Sequence, residues 1–322
     1  MSSVNTSVRW ERMILYVILF LGVMLPLIFH IGWKTDVSPH VQMVHDLVEN
    51  TPAGSTVLIS FDYEPSTMPE LKPMALSLVD HAWQRGHKVI AVALWPMGVQ
   101  MANDVFQELT ALPVTDIAAD QSSGETKTSV ASDSTKVALS GVENAPDSTI
   151  ARHTDKKYGI DYVNLGFKPG GMVTIKAMGR SIHETFPADA FGTPVGSLPI
   201  MDDIVRLRDL GYVMSLSAGD PGLKQWIMVA HDNFKVLVSG GTTAVSAPGF
   251  LPYINNRDQL RGVMGGLKGA AEYEKLRGVF GPASIKMDSQ SIAHVIILIF
   301  IAIGNIKAYR RRKAQRRKSE KA

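Results

Sequence analysis

The chain has 322 residues and a formal net charge of +3, and it contains no cysteine, which excludes disulfide scaffolds and thiol chemistry. From Lys307 onward nine Lys and Arg stand against one Glu, so this tail carries +8 and the remainder −5. Because the basic character belongs to a short tail, it does not indicate a nucleic-acid-binding domain, and we expect no nucleic acid partner.

The first predicted element is a membrane span. Residues 13–32 are apolar and lack Asp, Glu, Lys and Arg, and a hydrocarbon core of about 30 Å needs roughly 20 such helical residues. The run is longer than the apolar part of a signal peptide, and no small-x-small cleavage site follows it. We therefore predict an uncleaved transmembrane helix over 13–33, after a cytoplasmic segment 1–12 and with Trp33 at headgroup level.

The next part, residues 34–289, predicts an α/β domain. Short apolar runs that are rich in β-formers alternate with segments of helical periodicity. The strands are predicted over 56–61, 88–94, 162–166, 212–217 and 234–238. The helices are predicted over 70–85, 99–109, 171–186, 201–210 and 224–230. Strands that are apolar on both faces favour a mainly parallel, doubly wound sheet, Rossmann-like or flavodoxin-like, between two terminal transmembrane helices.

Residues 120–149 interrupt this alternation. The segment is rich in Ser, Thr, Asp and Gly, has no aromatic residue and shows no periodicity. Such a composition buries too little apolar surface to offset the entropy of ordering. We predict a disordered surface insertion, and a functional lid is the alternative.

The loops after the predicted strands form the candidate site. In an open parallel sheet, ligands bind outside the carboxyl ends of the strands, near the point where the strand order reverses. Four of these five loops contain glycine, which lets a backbone approach a ligand closely. The Gly170–Gly171 pair opens a predicted helix, whose free N–H groups suit a small anionic ligand, with help from Lys168. The candidate ligand-binding residues are Asp62, Lys168, Gly170, Gly171, Gly219, Asp220, Gly240, Gly241, Thr242 and Thr243.

The same loops have a purely structural interpretation, because tight turns use Gly, Pro and Asp for conformational reasons. No Gly-x-Gly-x-x-Gly after a strand, Walker loop or Gly-x-Ser-x-Gly elbow is present, so catalytic residues remain unknown and no cofactor is implied. The nine histidines are scattered singly, without His-x-x-x-His spacing, and we predict no metal site.

Towards the end of the domain, residues 258–277 have helical character but contain Gly262, Gly265, Gly266 and Gly269. Each glycine inside a soluble helix costs up to about 1 kcal/mol relative to alanine. We therefore predict that these glycines form a smooth strip on which another helix packs, within the chain or in a neighbouring subunit.

The last element is a second predicted membrane span over 290–308, followed by the basic tail 309–322. A buried core helix is the alternative for this span, but the abrupt arginine cluster after it argues for a membrane boundary. Lys and Arg near spans are retained on the cytoplasmic side. We therefore predict a two-pass protein of the cell inner (plasma) membrane, with cytoplasmic termini and an extracytoplasmic domain.

Four phrases of the domain resemble those of an uncharacterised bacterial membrane-protein family. They are Asp161–Gly171, Leu216–Gly222, Gly240–Pro248 and Gly265–Glu274. The resemblance runs from the first span to the last, apart from the insertion. It implies the layout of two terminal spans around an extracytoplasmic α/β domain, and it implies no activity.

Two classes of function follow from this organisation. The first is an anchored domain that binds a small ligand or a partner protein and belongs to a membrane assembly, with the lipid bilayer and other membrane-protein subunits as partners. The second is a membrane-tethered transferase or hydrolase that acts in the crevice at the carboxyl ends of the strands. Two carboxylates, or a His–Asp pair, in hydrogen-bond contact at that crevice would favour the enzyme.

Overall fold

The computed structural model describes residues 13–24, 36–110, 150–255 and 259–319, and only the backbone of residues 255, 311 and 314–319. The predicted insertion over 120–149 lies outside the described residues. The strands are β1 (Thr56–Asp62), β2 (Lys88–Ala93), β3 (Tyr162–Phe167), β4 (Val213–Ser217), β5 (Val238–Thr242) and β6 (Val263–Gly265). The α-helices are α1 (Met13–Met24), α2 (Pro39–Asn50), α3 (Met68–Gln84), α4 (Gly98–Thr110), α5 (Met172–Arg180), α6 (Ile182–Thr185), α7 (Leu223–Trp226), α8 (Asp232–Phe234), α9 (Leu251–Asn255), α10 (Gly266–Leu276) and α11 (Pro282–Ser319).

The described strands form one sheet in the order β3-β2-β1-β4-β5-β6, and every neighbouring pair is parallel. This is the strand order of the Rossmann-like doubly wound sheet rather than that of flavodoxin. The predicted parallel α/β fold is therefore confirmed. The order reverses between β1 and β4, because the chain runs outward from β1 to one edge and then from β4 to the other.

Helices cover both faces of the sheet. All seven residues of β1 are buried, as expected for a strand with no solvent face. Successive residues of a strand point to opposite faces. A side chain at Gly240 would meet Leu223 of α7, and one at Gly241 would meet Met74 of α3, so α7 and α3 lie on opposite sides.

Helices α2, α4 and α10 share the face of α3. The rings of Trp83 and Phe106 are stacked at 6.0 Å, which joins α3 to α4. His81 of α3 contacts Glu49 of α2 and Tyr273 of α10. On the other face, Ile175 and Met178 of α5 join the core of α7 and its following π turn, Ile227–His231.

Two elements near the second edge of the sheet were not predicted. Helix α2 begins at Pro39 and buries Val41, Val44, Leu47 and Val48. Strand β6 is only three residues long, shorter than a recognisable apolar run. The prediction of one helix over 258–277 is wrong for its first part, because Gly262 precedes β6 and Gly265 ends it. Only Gly266 and Gly269 belong to α10, so the four glycines do not form a helical strip.

Two predicted helices are replaced by shorter turns. The segment 201–210 contains a separate 3₁₀ turn over Leu207–Asp209, following another over Pro199–Met201. Its buried residues Met201, Ile204, Leu207 and Leu210 recur at every third position, which suits 3₁₀ rather than α geometry. The helix predicted over 171–186 is split at Ser181, which is extended and accepts a hydrogen bond from the Glu184 N–H as the cap of α6.

The terminal helices form a compact unit that is separate from the α/β domain. Among the described residues, one helix is long and apolar enough to cross a membrane, Pro282–Arg310, whose most apolar 18-residue window has a mean hydropathy of 2.0. The described part of the first predicted span, α1, is shorter, and the rest of that span lies outside the described residues. A Cβ at Gly22 of α1 would lie 2.0 Å from the Ile296 side chain of α11, so these two helices are in close contact.

Candidate functional site

The point of strand reversal places the candidate site above the carboxyl ends of β1 and β4. Asp62 ends β1 and lies beside Ser217 of β4 in the strand register. The loops after β2, β3 and β4 meet here around Pro221. Its carbonyl accepts a hydrogen bond from the Trp95 indole at 2.7 Å, and a Cβ at Gly171 would lie 3.1 Å from its ring.

Asp62 is fully buried, and all its contacts come from the protein interior. Its Oδ1 accepts the Leu94 N–H at 2.8 Å. Its Oδ2 accepts the hydroxyls of Ser60 and Ser215 at 2.7 and 3.2 Å and the Trp226 indole N–H at 3.4 Å. Burial raises the pKa of Asp62 to about 6, although these four donors oppose the shift. Asp62 is therefore a link between β1, β2, β4 and α7 rather than an open ligand contact.

The loop after β4 is folded on itself. The side chain of Gln225 donates to Asp220 and accepts from the Gly222 N–H, and the Leu223 N–H donates to Ser217 at 3.1 Å. Gly219 and Asp220 remain exposed, and Gly219 faces the Trp95 ring. The backbone donors at the start of α7 are consumed by these contacts, so this loop offers an exposed surface rather than an anion cradle.

The loop after β3 keeps free donors. Gly170 and Gly171 have φ angles of +116° and +50°, conformations that glycine adopts without strain. Among the described residues, no acceptor faces the backbone N–H groups of Gly171 and Met172 at the start of α5. A valine at Gly171 would be strained, so that substitution does not test binding without affecting the backbone.

A cavity of about 330 Å³ opens beside this loop, at the carboxyl end of β3. Its walls are mainly apolar and include Val99, Leu165, Phe167, Phe186, Pro187 and Ala188. Lys168 lies on the wall, is exposed and has no ion pair among the described residues. Asp189 also lines the cavity, but its oxygens accept from the Tyr158 hydroxyl and from the N–H groups of Phe191 and Thr193. Lys168 is thus the charged group that is available to a ligand.

Gly240 and Gly241 were predicted in the loop after the fifth strand, but they lie inside β5. The prediction ended the fifth strand at Val238, but β5 extends to Thr242, so Gly240, Gly241 and Thr242 are buried in the strand. A Cβ at Gly240 would lie 2.1 Å from the Ser215 carbonyl oxygen. These glycines therefore allow close packing inside the sheet. Thr243 begins the true loop, where its hydroxyl donates to Ser246.

The predicted ligand-binding residues thus fall into two groups, those exposed at the carboxyl edge of the sheet and those buried in its interior. Loops after β3 and β4 bring Gly171 next to Pro221, with Lys168, Gly170, Gly219 and Asp220 exposed on the same edge. Asp62 lies beneath this surface, and the residues of β5 belong to the sheet interior. Among the described residues, no carboxylate at this edge contacts a histidine or a second carboxylate.

Two polar clusters among the helices on the face of α3 were not predicted from the sequence. In the first, His45 and Glu49 of α2 meet His81 of α3. In the second, the buried carboxylate of Asp80 accepts from Arg277 of α10 and contacts His153 at 2.6 Å. The only local signal was the i, i+4 spacing of His45 and Glu49 on one helix. Their partners are distant in sequence, so no spacing rule identifies them.

Comparison with protein-family models, curated proteins and solved structures found no match to this chain.

Proposed function

We propose that the chain is a two-pass membrane protein whose α/β domain lies on the extracytoplasmic side. The length and hydropathy of the C-terminal helix and its contact with α1 support this arrangement. The basic tail supports cytoplasmic termini, because Lys and Arg next to a span are retained on that side. The resemblance of the four domain phrases to a family with two terminal spans points in the same direction.

The absence of native cysteine makes this topology directly testable. Single-cysteine variants are made at Val245, which is 92% exposed in the domain, and at Ser3 and Ser319 near the termini. In intact cells with a permeabilised outer membrane, an impermeant maleimide should label only the Val245→Cys variant. Labelling at all three positions should follow lysis. Labelling of Ser319→Cys before lysis, or of Val245→Cys only after it, contradicts the topology.

We further propose that the domain is a binding component of a membrane assembly and holds a small ligand with an apolar part and an anionic group. The observation that carries this proposal is the open, mainly apolar pocket with Lys168 on its wall. Its volume of about 330 Å³ is in the range of small-molecule sites. The free N–H groups at the start of α5 lie in the same loop and favour an anion through the helix dipole.

The alternative is a membrane-tethered transferase or hydrolase. It is favoured by one feature, the raised pKa of Asp62 at the strand reversal, because perturbed carboxylates are common in active sites. Against it, the Asp62 side chain is fully buried and contacts four protein donors. A general base must contact the proton that it removes, so we favour the binding component.

Affinity purification of the full chain from mild detergent, followed by mass spectrometry of retained proteins and small molecules, tests the proposal. We expect the wild type and Lys176→Ala to retain the same anionic molecule, and Lys168→Ala to lose it. Lys176 is an exposed lysine on α5 that does not line the cavity, so it is a matched control. Retention by Lys168→Ala, or a molecule that turns over on incubation, would contradict the proposal.

A further inference from the structure

The cluster of His45, Glu49 and His81 has the composition and geometry of a metal site. One ligand atom from each residue lies within 4.8 Å of the other two. The Glu49 Oε1 atom is 2.8 Å from His81 Nε2 and 3.9 Å from His45 Nε2. Ligands around a tetrahedral ion with bonds of about 2.0–2.1 Å are roughly 3.3 Å apart, so these two distances bracket the required spacing.

We propose that His45, Glu49 and His81 bind a first-row divalent cation such as Zn²⁺, with water completing the coordination. Two imidazoles and one carboxylate form a common ligand set for such ions. Glu49 is 38% exposed, so the site is open to solvent on one side for ion entry and for a water ligand.

The surrounding residues hold the ligands in suitable orientations. The Tyr273 hydroxyl lies 2.7 Å from His81 Nδ1, so it accepts that proton when Nε2 binds an ion. Metal-binding histidines usually have such a partner on the second nitrogen. Arg85 lies 3.5 Å from the Oε2 atom of Glu49 and donates to its backbone carbonyl, which fixes the side chain and leaves Oε1 for the ion.

His45 provides an independent observation. Its Nδ1 atom is buried and has no hydrogen-bond partner, although the Asp46 carboxylate is 3.5 Å away. Buried polar atoms are normally paired. Binding of an ion at Nε2 would place the ring proton on Nδ1, the atom that lies 3.5 Å from the Asp46 carboxylate.

The test uses the full-length chain with a tag that contains no histidine, stripped with a chelator and titrated with Zn²⁺ against a chromogenic competitor. The wild type should bind one equivalent of Zn²⁺. His45→Gln and Glu49→Gln should each weaken binding by at least about tenfold, and Tyr273→Phe by about tenfold. His231→Gln, which alters a histidine paired with Asp232, should bind like the wild type.

A fold control accompanies each titration, because His81 and Tyr273 are buried. Melting temperature without metal should be nearly unchanged for His45→Gln, and added Zn²⁺ should raise it for the wild type but not for this variant. The visible spectrum of bound Co²⁺ should change in His45→Gln through the loss of one nitrogen ligand. Absence of a stoichiometric wild-type site, or equal binding by His45→Gln and wild type, would overturn the proposal.

Discussion

The two ends of the sheet use polar residues in opposite ways. At the carboxyl end, loops present Lys168 and Asp220 to solvent, above a buried acid whose oxygens are fully hydrogen-bonded. Helix α2 ends just before β1, and α3 ends just before β2, so His81 and Asp80 lie towards the amino end of the sheet. There the polar groups belong to helices and pair with one another. Polar loops thus form a surface at one end of the sheet, while buried polar contacts between helices lie at the other.

The largest expected effect is at the amino end. Arg277 and Asp80 form a buried ion pair whose side chains are 2% and 0% exposed. Asp80→Ala removes the carboxylate that pairs with the guanidinium and with the His153 ring, and leaves the buried positive charge of Arg277 without a counter-ion. Removal of one member of a buried pair costs about 3–5 kcal/mol. We expect a large fall in melting temperature, with retention of the small molecule unchanged in whatever protein stays folded.

Asp203→Ala is the control for this variant, because Asp203 is an exposed carboxylate in the same domain. Its effect should stay within about 0.5 kcal/mol. If the two variants have equal melting temperatures, the Asp80–Arg277 pair does not stabilise the fold, and the contrast between the two ends fails.

The second prediction concerns the buried acid at the carboxyl end. Burial raises the pKa of Asp62 from 3.8 to about 6, so the folded chain keeps a proton that the unfolded chain has lost in this interval. The contribution of Asp62 to the stability of the wild type should therefore fall by about 3 kcal/mol as the pH rises from 3.8 to 6, and stay level above it. This loss is absent in Asp62→Asn. The melting temperature of the variant should therefore rise relative to that of the wild type as the pH increases from 3.8 to 6.

Measurement of melting temperature against pH separates this effect from lost hydrogen bonds, because an altered hydrogen bond shifts the Asp62→Asn curve equally at every pH. Parallel curves for Asp62→Asn and wild type would show that Asp62 is not held in its protonated form, and would weaken the view of this end as a closed network.

Sequence alone predicted the first four strands, because each is a continuous apolar run between turn signals. It also predicted α3 and α4 from their helical periodicity. The fifth strand was displaced by four residues because Gly240 and Gly241 suggest a loop when their neighbours are unknown. In the structure these glycines lie where adjacent backbone and helices approach closely, a property of tertiary packing that local sequence does not encode.

The candidate site shows the same limit. Composition correctly placed Lys168, Gly170 and Gly171 after a strand, since turn residues report local backbone shape. It did not show that the Asp62 side chain is covered by Trp226, 164 positions along the chain. Nor did it join His45 to His81, because contacts between helices depend on which faces meet across the sheet.

The smallest of the three effects tests the correction to β5. Gly240→Ala would place a Cβ 2.1 Å from the Ser215 carbonyl oxygen and 3.1 Å from Leu223, so β4, β5 or α7 must shift. Overpacking of this kind costs about 1–3 kcal/mol. Gly219→Ala is the matched control, because its new Cβ would lie 3.4 Å from the Trp95 ring, an ordinary contact, and should change stability by less than about 0.5 kcal/mol. Melting curves of both variants check the difference. A Gly240→Ala protein as stable as Gly219→Ala would contradict the placement of Gly240 inside β5. It would support the original prediction that Gly240 lies in a ligand-binding loop.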